Sequence, residues 1–209
     1  MKVLITGGST WVKIDRIRII TNIFTGRTSL LLAKHFLKKG IKVTLIVNPS
    51  WIKKFPKDKN LRIIFFKYFR ELQNILKKEL KKNTYKAVIH NAAVSDYTLE
   101  HSFNNKIPSK RKSLYLRLKP TPKLTHLIYS LAKKSLLVQF KLETTNKNII
   151  KKSYESLKRN KFDIVIANVF SKERKKYHAL LIDRHCNIKK ISSKKDLAQI
   201  LFHLIKFFK

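Results

Sequence analysis

Cysteine, glycine and acidic residues are all scarce in this chain: one Cys, four Gly and 12 Asp+Glu among 209 residues. A lone Cys186 excludes an intramolecular disulfide, and no CxxC pair or His/Cys cluster offers the spacing of a metal site. A reduced, cytoplasmic setting is expected from that usage. No apolar run approaches the ~18 residues that a membrane span needs, so no membrane partner is expected. The apolar N-terminus ends at Gly7, too early for a secretory leader. The acidic deficit leaves a net charge of +36 against 48 Lys+Arg. Such an excess ordinarily suggests nucleic acid, because clustered cations release counterions from phosphates. Here the lysines run from Lys2 to Lys209 without a dense basic arm or a base-reading module. Solvated surface charge is therefore expected, and no specific nucleic acid.

With 44% hydrophobic residues the chain can bury a core. Short β-rich runs alternate with helical patterns. Strands are expected at Lys2 to Thr6, Lys42 to Val47, Leu61 to Phe66, Lys86 to His90, Leu136 to Phe140, Asp163 to Ala167 and His178 to Ile182. Helices are expected at Thr28 to Lys39, Phe69 to Lys82, Lys123 to Lys134, Asn148 to Asn160 and Ser193 to Phe208, the last opened by a Ser193/Asp196 cap. Near-continuous apolar strands between helices predict a doubly wound, Rossmann-like α/β fold, its mainly parallel sheet covered by helices on both faces. No repeat or Pro/Gly-rich linker divides 1–209, so one domain is expected. The stretch 100–119 breaks the rhythm. It is polar and then alternates, with Leu114, Leu116 and Leu118 on one side of a strand and Tyr115 and Arg117 on the other, which suggests a lid followed by an edge or dimer-contact strand.

Ligands of such sheets bind at the carboxyl ends of the strands, where a turn meets a helix N-terminus. Three strand ends carry unusual polar sequences: TGGST, HNAAVSDY and ANVFS. The first belongs to a loop, Ile5 to Gly26, that combines a glycine turn, a basic run and a Thr21-Asn22 pair. An anionic ligand suits it. Ala92 and Ala93 let backbone approach a ligand, and Asp96 is able to accept hydrogen bonds from a ribose or a base amine.

A nicotinamide enzyme is the first alternative. TGGST resembles a short-chain dehydrogenase turn, NAAV their NNAG element, and Tyr154 with Lys158 gives YxxxK. Yet Val12 and Ile14 stand where a TGxxxGxG turn needs glycines, so a pyrophosphate lacks close access to the backbone. The second strand ends in Val47-Asn48 without an acid for the ribose, and no serine precedes Tyr154 at the usual spacing. Ordinary helix surface is the expected place for Tyr154 and Lys158.

A different resemblance runs along nearly the whole chain. LITGGST followed by Ile14-Asp15, Arg18 and ITNIFTG, then NAAVSDY, KIPS (Lys106 to Ser109), KPTPKL (Lys119 to Leu124), FKLET (Phe140 to Thr144), SLKRNKFDIVIAN and SSKKDLAQIL occur in order. Together they resemble the phosphopantothenoylcysteine synthetases, most closely the short monofunctional bacterial form. The resemblance implies a ligase of coenzyme A biosynthesis. Such an enzyme activates the carboxylate of 4′-phosphopantothenate as an acyl nucleotide, releasing pyrophosphate, and then couples it to L-cysteine. CTP is favoured over ATP, magnesium is implied by the triphosphate chemistry, and a homodimer is implied by the family.

Carried over by position, the resemblance makes Asn22 the asparagine that holds the activated carboxyl. It makes Arg18 an arginine for phosphate or carboxylate, whose planar fork suits both. Lys106 matches the lysine on the triphosphate. Those three form the implied catalytic set, and Ala93 joins Arg18 and Asn22 around phosphopantothenate. Gly7, Gly8, Ser9, Ala92, Asp96, Lys106, Thr121, Pro122, Phe140 and Arg159 form the implied nucleotide set. The chain departs from the family at Val169, at Gln139 in place of a glycine, at RTSLLL after Gly26, and in a short span between Tyr97 and Lys106.

Overall fold

The computed structural model describes residues 1–110, 112–170 and 177–208. In chain order its elements are β1 (Lys2–Gly7), β2 (Trp11–Lys13), β3 (Ile19–Thr21), α1 (Arg27–Lys38), β4 (Lys42–Val47), β5 (Leu61–Phe65), α2 (Phe69–Lys82) and β6 (Ala87–His90). There follow β7 (Tyr97–Leu99), β8 (Leu118–Pro120), α3 (Leu124–Leu131), β9 (Leu136–Glu143), α4 (Ile149–Asn160), β10 (Ile164–Val169), β11 (Ala179–Asp183), β12 (Ile188–Ile191) and α5 (Lys194–Phe207).

Eight strands form one sheet in the order β12-β11-β10-β9-β6-β1-β4-β5. Six run parallel, while β11 and β12 fold back as an antiparallel hairpin. The expected α/β class therefore holds. Pairing in the sheet divides the strand residues between two cores. Val3 and Ile5 of β1 turn to one face with Leu32 and Phe36 of α1 and Leu197 and Leu201 of α5. Leu4 turns to the other, with Leu72 and Leu76 of α2, Ile128 of α3 and Leu157 of α4. This is why the strands read as unbroken apolar runs.

Caps set the helix ends. Glu71 accepts from the Lys67 and Tyr68 amides to open α2. Ser193 Oγ accepts from the Asp196 amide to open α5, 3.0 Å away, as its position implies. Helix α3 is shorter than expected and stops at Leu131, with Ala132 as its cap.

Three further features depart from the sequence-based expectation. Strand β12 (IKKI) escapes a pattern search because three of its four residues are exposed. The opening loop contains a small antiparallel ladder, β2 with β3. In the stretch 100–119, leaving position 111 outside the described residues, ladder pairing occurs only at Leu118–Pro120, against β7. Leu114 and Tyr115 are exposed, and Leu116 packs on a third, small core of Val12, Ile14, Leu99 and Ile107. That core joins the two ladders into one lobe over the carboxyl edge of the sheet.

Candidate active site at the carboxyl ends of β1 and β6

Chain order reverses between β1 and β6: β4 and β5 lie to one side of β1, and β6, β9 and β10 to the other. The loops after these two strands therefore face each other across the switch point where ligands of such sheets bind. Their backbones are knitted together. The Ala93 amide donates to Gly8 O (2.9 Å), and the Thr10 amide to Ala93 O (3.2 Å). The Ser95 amide donates to Thr10 Oγ1 (2.8 Å), and buried Asn48 donates from Nδ2 to Ser9 O (2.7 Å).

Close approach at this point requires small residues. A Cβ on Gly7 would lie 2.4 Å from Ser29 Oγ of α1. That hydroxyl donates to Thr6 O (2.9 Å) and accepts from Asn91 Nδ2 (2.8 Å), tying strand, helix and second loop together. Gly26, the residue that opens α1, has φ 76°, and a Cβ there would meet the Gly8 amide nitrogen at 2.9 Å.

Beneath the loops lies a polar pair. Thr6 Oγ1 accepts from the Asn91 and Ala92 amides, both at 3.1 Å, which uses its lone pairs. Its proton therefore points to His90 Nδ1, 2.9 Å away, and His90 carries its own proton on Nε2. Burial without a countercharge lowers the His90 pKa to about 4. The folded value lies below the unfolded value near 6.5, so the unfolded state takes up the proton first as pH falls. Stability is expected to be intact above about pH 6.5 and to fall toward pH 4, by about 3 kcal/mol in total and about 2 kcal/mol by pH 5. Urea midpoints at pH 7 and pH 5 measure this. His90→Gln, which keeps an acceptor for Thr6 but does not titrate, should lose most of the difference.

Of the groups implied by the sequence, Asn22 and Asp96 are exposed while Gly7, Gly8 and Ser9 are buried. Asn22 Nδ2 donates to Ala93 O at 3.3 Å from an exposed position. Ser9 Oγ donates to Phe24 O (2.8 Å), which leaves its amide on the loop. Thr121 bridges to the second loop, its amide to Asp96 O (2.9 Å) and its hydroxyl to Ser95 O (2.6 Å). The Asp96 carboxylate is held by Lys123 Nζ at 2.6 Å, and both side chains are solvent-exposed. Thus Gly7, Gly8, Ser9, Asn22, Ala92, Ala93, Asp96 and Thr121, with Pro122 next to it, form one connected group. Beside it a cleft of about 350 Å³, lined in part by Trp11, Tyr68, Arg70, Tyr97 and Thr121, runs between the lobe and the start of α2.

Arg18 and Lys106 sit in the lobe. Arg18 Nη1 donates to the Asp15 carboxylate and to Ile107 O (3.1 Å), and Lys106 is exposed on the same segment. Phe140 is half-buried in β9, one residue past the level of His90, and packs on the α1/α5 side. Arg159 is not brought to the group. It lies in the last turn of α4, which runs back along the sheet, and the following Phe162 and Asp163 pack beside Leu137 at the start of β9. The register expected at Arg159 therefore fails on geometry. Tyr154 and Lys158 also belong to α4, with Tyr154 Oη donating to Arg184 O (3.2 Å) and Lys158 over its ring, as helix surface. Of the ANVFS loop, Ser171 lies outside the described residues.

Sequence reading missed Thr6, Ser29, Asn48 and His90. A hydroxyl ending one strand and a histidine ending another become a pair only once β1 and β6 are known to be neighbours with Thr6 opposite His90.

The family model described as the DNA/pantothenate metabolism flavoprotein C-terminal domain matches residues 1–207. The chain belongs to that family. Coenzyme A biosynthesis bifunctional proteins CoaBC are similar to it. That of Methanocaldococcus jannaschii is 31% identical over 98% of this chain and 50% of its own length. That of Borreliella burgdorferi is 34% identical over 80% of this chain and 42% of its own. The chain thus spans about half or less of the curated relatives it matches. A DNA/pantothenate metabolism flavoprotein from Streptococcus pneumoniae superposes over the full length of both chains with a TM-score of 0.88 at 26% identity. A Cab2 variant in complex with phosphopantothenate-cysteine shares the fold at a TM-score of 0.81 and 20% identity, covering all of this chain and 87% of that one. Among the described residues, no group of three His, Cys, Asp or Glu side chains gathers to hold a metal ion, and no helix is long and apolar enough to cross a membrane.

Proposed function

We propose that this member of the family is a phosphopantothenate-cysteine ligase that uses CTP in preference to ATP. The observation that carries the reading is the placement of the Asn22 amide on Ala93 O, at the meeting of the loops after β1 and β6. The names of its relatives and the ligand in the Cab2 complex support the substrate class.

The chemistry needs such a site. A carboxylate resists attack by an amine, so a carboxylate oxygen of 4′-phosphopantothenate first attacks the α-phosphorus of the nucleotide and pyrophosphate leaves. The cysteine nitrogen then attacks the acyl carbon, and the nucleoside monophosphate leaves as the amide forms. Asn22 donates to the acyl oxygen and is itself a poor nucleophile. Lys106, exposed and solvated, supplies a cation for the phosphates that separate in the first step. Arg18 offers its remaining guanidinium nitrogens to the anionic substrate. Loop amides near Gly8 and Ser9, together with Asp96 and Thr121, border the nucleotide. Phe140 flanks it.

Magnesium enters with the triphosphate, since this ion is held mainly by phosphate oxygens and water. The chain's carboxylates form no cage for it among the described residues. The enzyme acts in the cytoplasm as a homodimer, with the exposed apolar residues of the lobe around Leu114 to Leu118 at the contact. A monomer by light scattering removes that last statement.

The test mixes 4′-phosphopantothenate, cysteine and magnesium with CTP or ATP and follows pyrophosphate. Release with CTP exceeding that with ATP, abolished by a chelator, is expected. No pyrophosphate with either nucleotide sinks the ligase reading. NADPH binding with no turnover would favour the dehydrogenase alternative, and steep salt-dependent affinity for nucleic acid the other one.

A further inference from the structure

The segment that carries Lys106 lacks regular secondary structure from position 100 through 110, so something other than a ladder or helix must fix that lysine. The holder is Asp15. Its side chain is fully buried, and its two oxygens take four donors. Oδ1 accepts from the Ile17 amide (2.9 Å) and the Arg18 amide (2.8 Å), closing the turn between β2 and β3. Oδ2 accepts from the Ile107 amide (3.0 Å) and from Arg18 Nη1. The same Nη1 donates to Ile107 O at 3.1 Å.

The Asp15-Arg18 pair therefore grips both main-chain polar groups of a single residue, Ile107, directly after Lys106. Three further contacts brace the grip. Ile107 buries its side chain among Val12, Ile14 and Leu99, the Phe103 amide donates to Ile14 O (2.8 Å), and Arg16 Nε donates to Asn104 O (2.9 Å). A short buried carboxylate is well matched to such a grip because it accepts from several amides at once. These donors, the Ile107 amide foremost, hold its pKa well below the usual carboxylate range. An amide in its place would turn an NH₂ toward two of the four donors.

We infer that Asp15 is a positioning residue, which clamps Ile107 so that Lys106 stands where the nucleotide's phosphates separate, and that Arg18 serves the clamp as well as the substrate. The inference rests on the ligase reading for what Lys106 does, but not for the clamp itself.

Two readouts separate these parts. In Asp15→Asn, hydrogen exchange at the Ile107 amide is expected to speed up by about 100-fold with the core amides of β1 and β6 unchanged. Arg18→Lys, which keeps a charge but loses the bond to Ile107 O, should give an intermediate rate. Should Asp15→Asn fail to fold, Arg18→Lys carries the exchange test. In turnover, Asp15→Asn should raise the KM for CTP by about tenfold with a smaller change in KM for cysteine. Because Asp15 acts through Lys106, adding Lys106→Ala to Asp15→Asn should cost little beyond Lys106→Ala alone. Unchanged Ile107 exchange overturns the clamp, and fully multiplying losses in the double variant overturn its link to Lys106. If wild-type protein releases no pyrophosphate, the ligase reading falls while accelerated exchange still upholds the clamp.

Discussion

Asn22→Ala is expected to cut product formation by about 100- to 1000-fold, the usual consequence of removing one preorganised donor from a developing acyl oxyanion. The side chain is exposed and makes one hydrogen bond, to Ala93 O, so its loss should leave the melting temperature nearly unchanged. The deficit should appear in kcat more than in KM, because the donor is wanted most as the acyl group reacts. Asn22→Asp sharpens the test. It is of similar size, but it replaces the donor with a negative charge facing an anionic intermediate, and it should be at least as poor. Pyrophosphate release and amide formation, followed separately, show which half of the reaction suffers. Wild-type turnover in Asn22→Ala would refute the assigned role.

Gly26→Ala is expected to cause a large loss of stability through strain and contact together. At φ 76° an alanine is strained, and its Cβ would also press on the Gly8 amide nitrogen at 2.9 Å, on Gly8 Cα at 3.2 Å and on Val47 Cγ2 at 3.3 Å. Two of those atoms are backbone, which cannot rotate away. The expected cost is about 3 kcal/mol, or roughly 6 to 12 °C in melting temperature for a chain of this size. Gly40→Ala is the control. Gly40 has a similar φ of 73°, but an added Cβ there meets nothing within 4 Å, so backbone strain alone should cost about 1 kcal/mol. Equal effects at the two positions would mean that the contact between α1 and the loop after β1 carries no weight. Gly8 O accepts from the Ala93 amide, so a shift of that loop should also lower activity.

Much of this architecture is legible in the sequence, for reasons specific to the residues. The inner parallel strands are buried on both faces and so read as unbroken apolar runs, from VLIT in β1 to IVIA in β10. Helix α1 is followed by Gly40, and Ser193 opens α5 with its own hydroxyl. The lobe is harder to read. Its strands are three residues each, its core is four buried side chains with two neighbours, and the alternation from Leu114 to Leu118 looks like a longer strand than the pairing allows. Arg159 failed because a position in a motif says nothing about which end of a helix faces the ligand. In a parallel sheet the crossing helix returns to the opposite edge, and its last turn goes with it.

The order of local signals along the chain by itself determined the α/β class, the strand-end loops as the place for a ligand, and the run of motifs shared with one family. Each of these depends on neighbours in sequence, through apolar period, turn residues and caps. Only the tertiary structure decided which distant groups act together. Thr6 meets His90 because β1 and β6 pair in register, and Asp15 grips Ile107 because two ladders share one small core. Hydrogen bonds and ion pairs act over about 3 Å, and residues 84 or 92 positions apart come within that reach only when the chain folds.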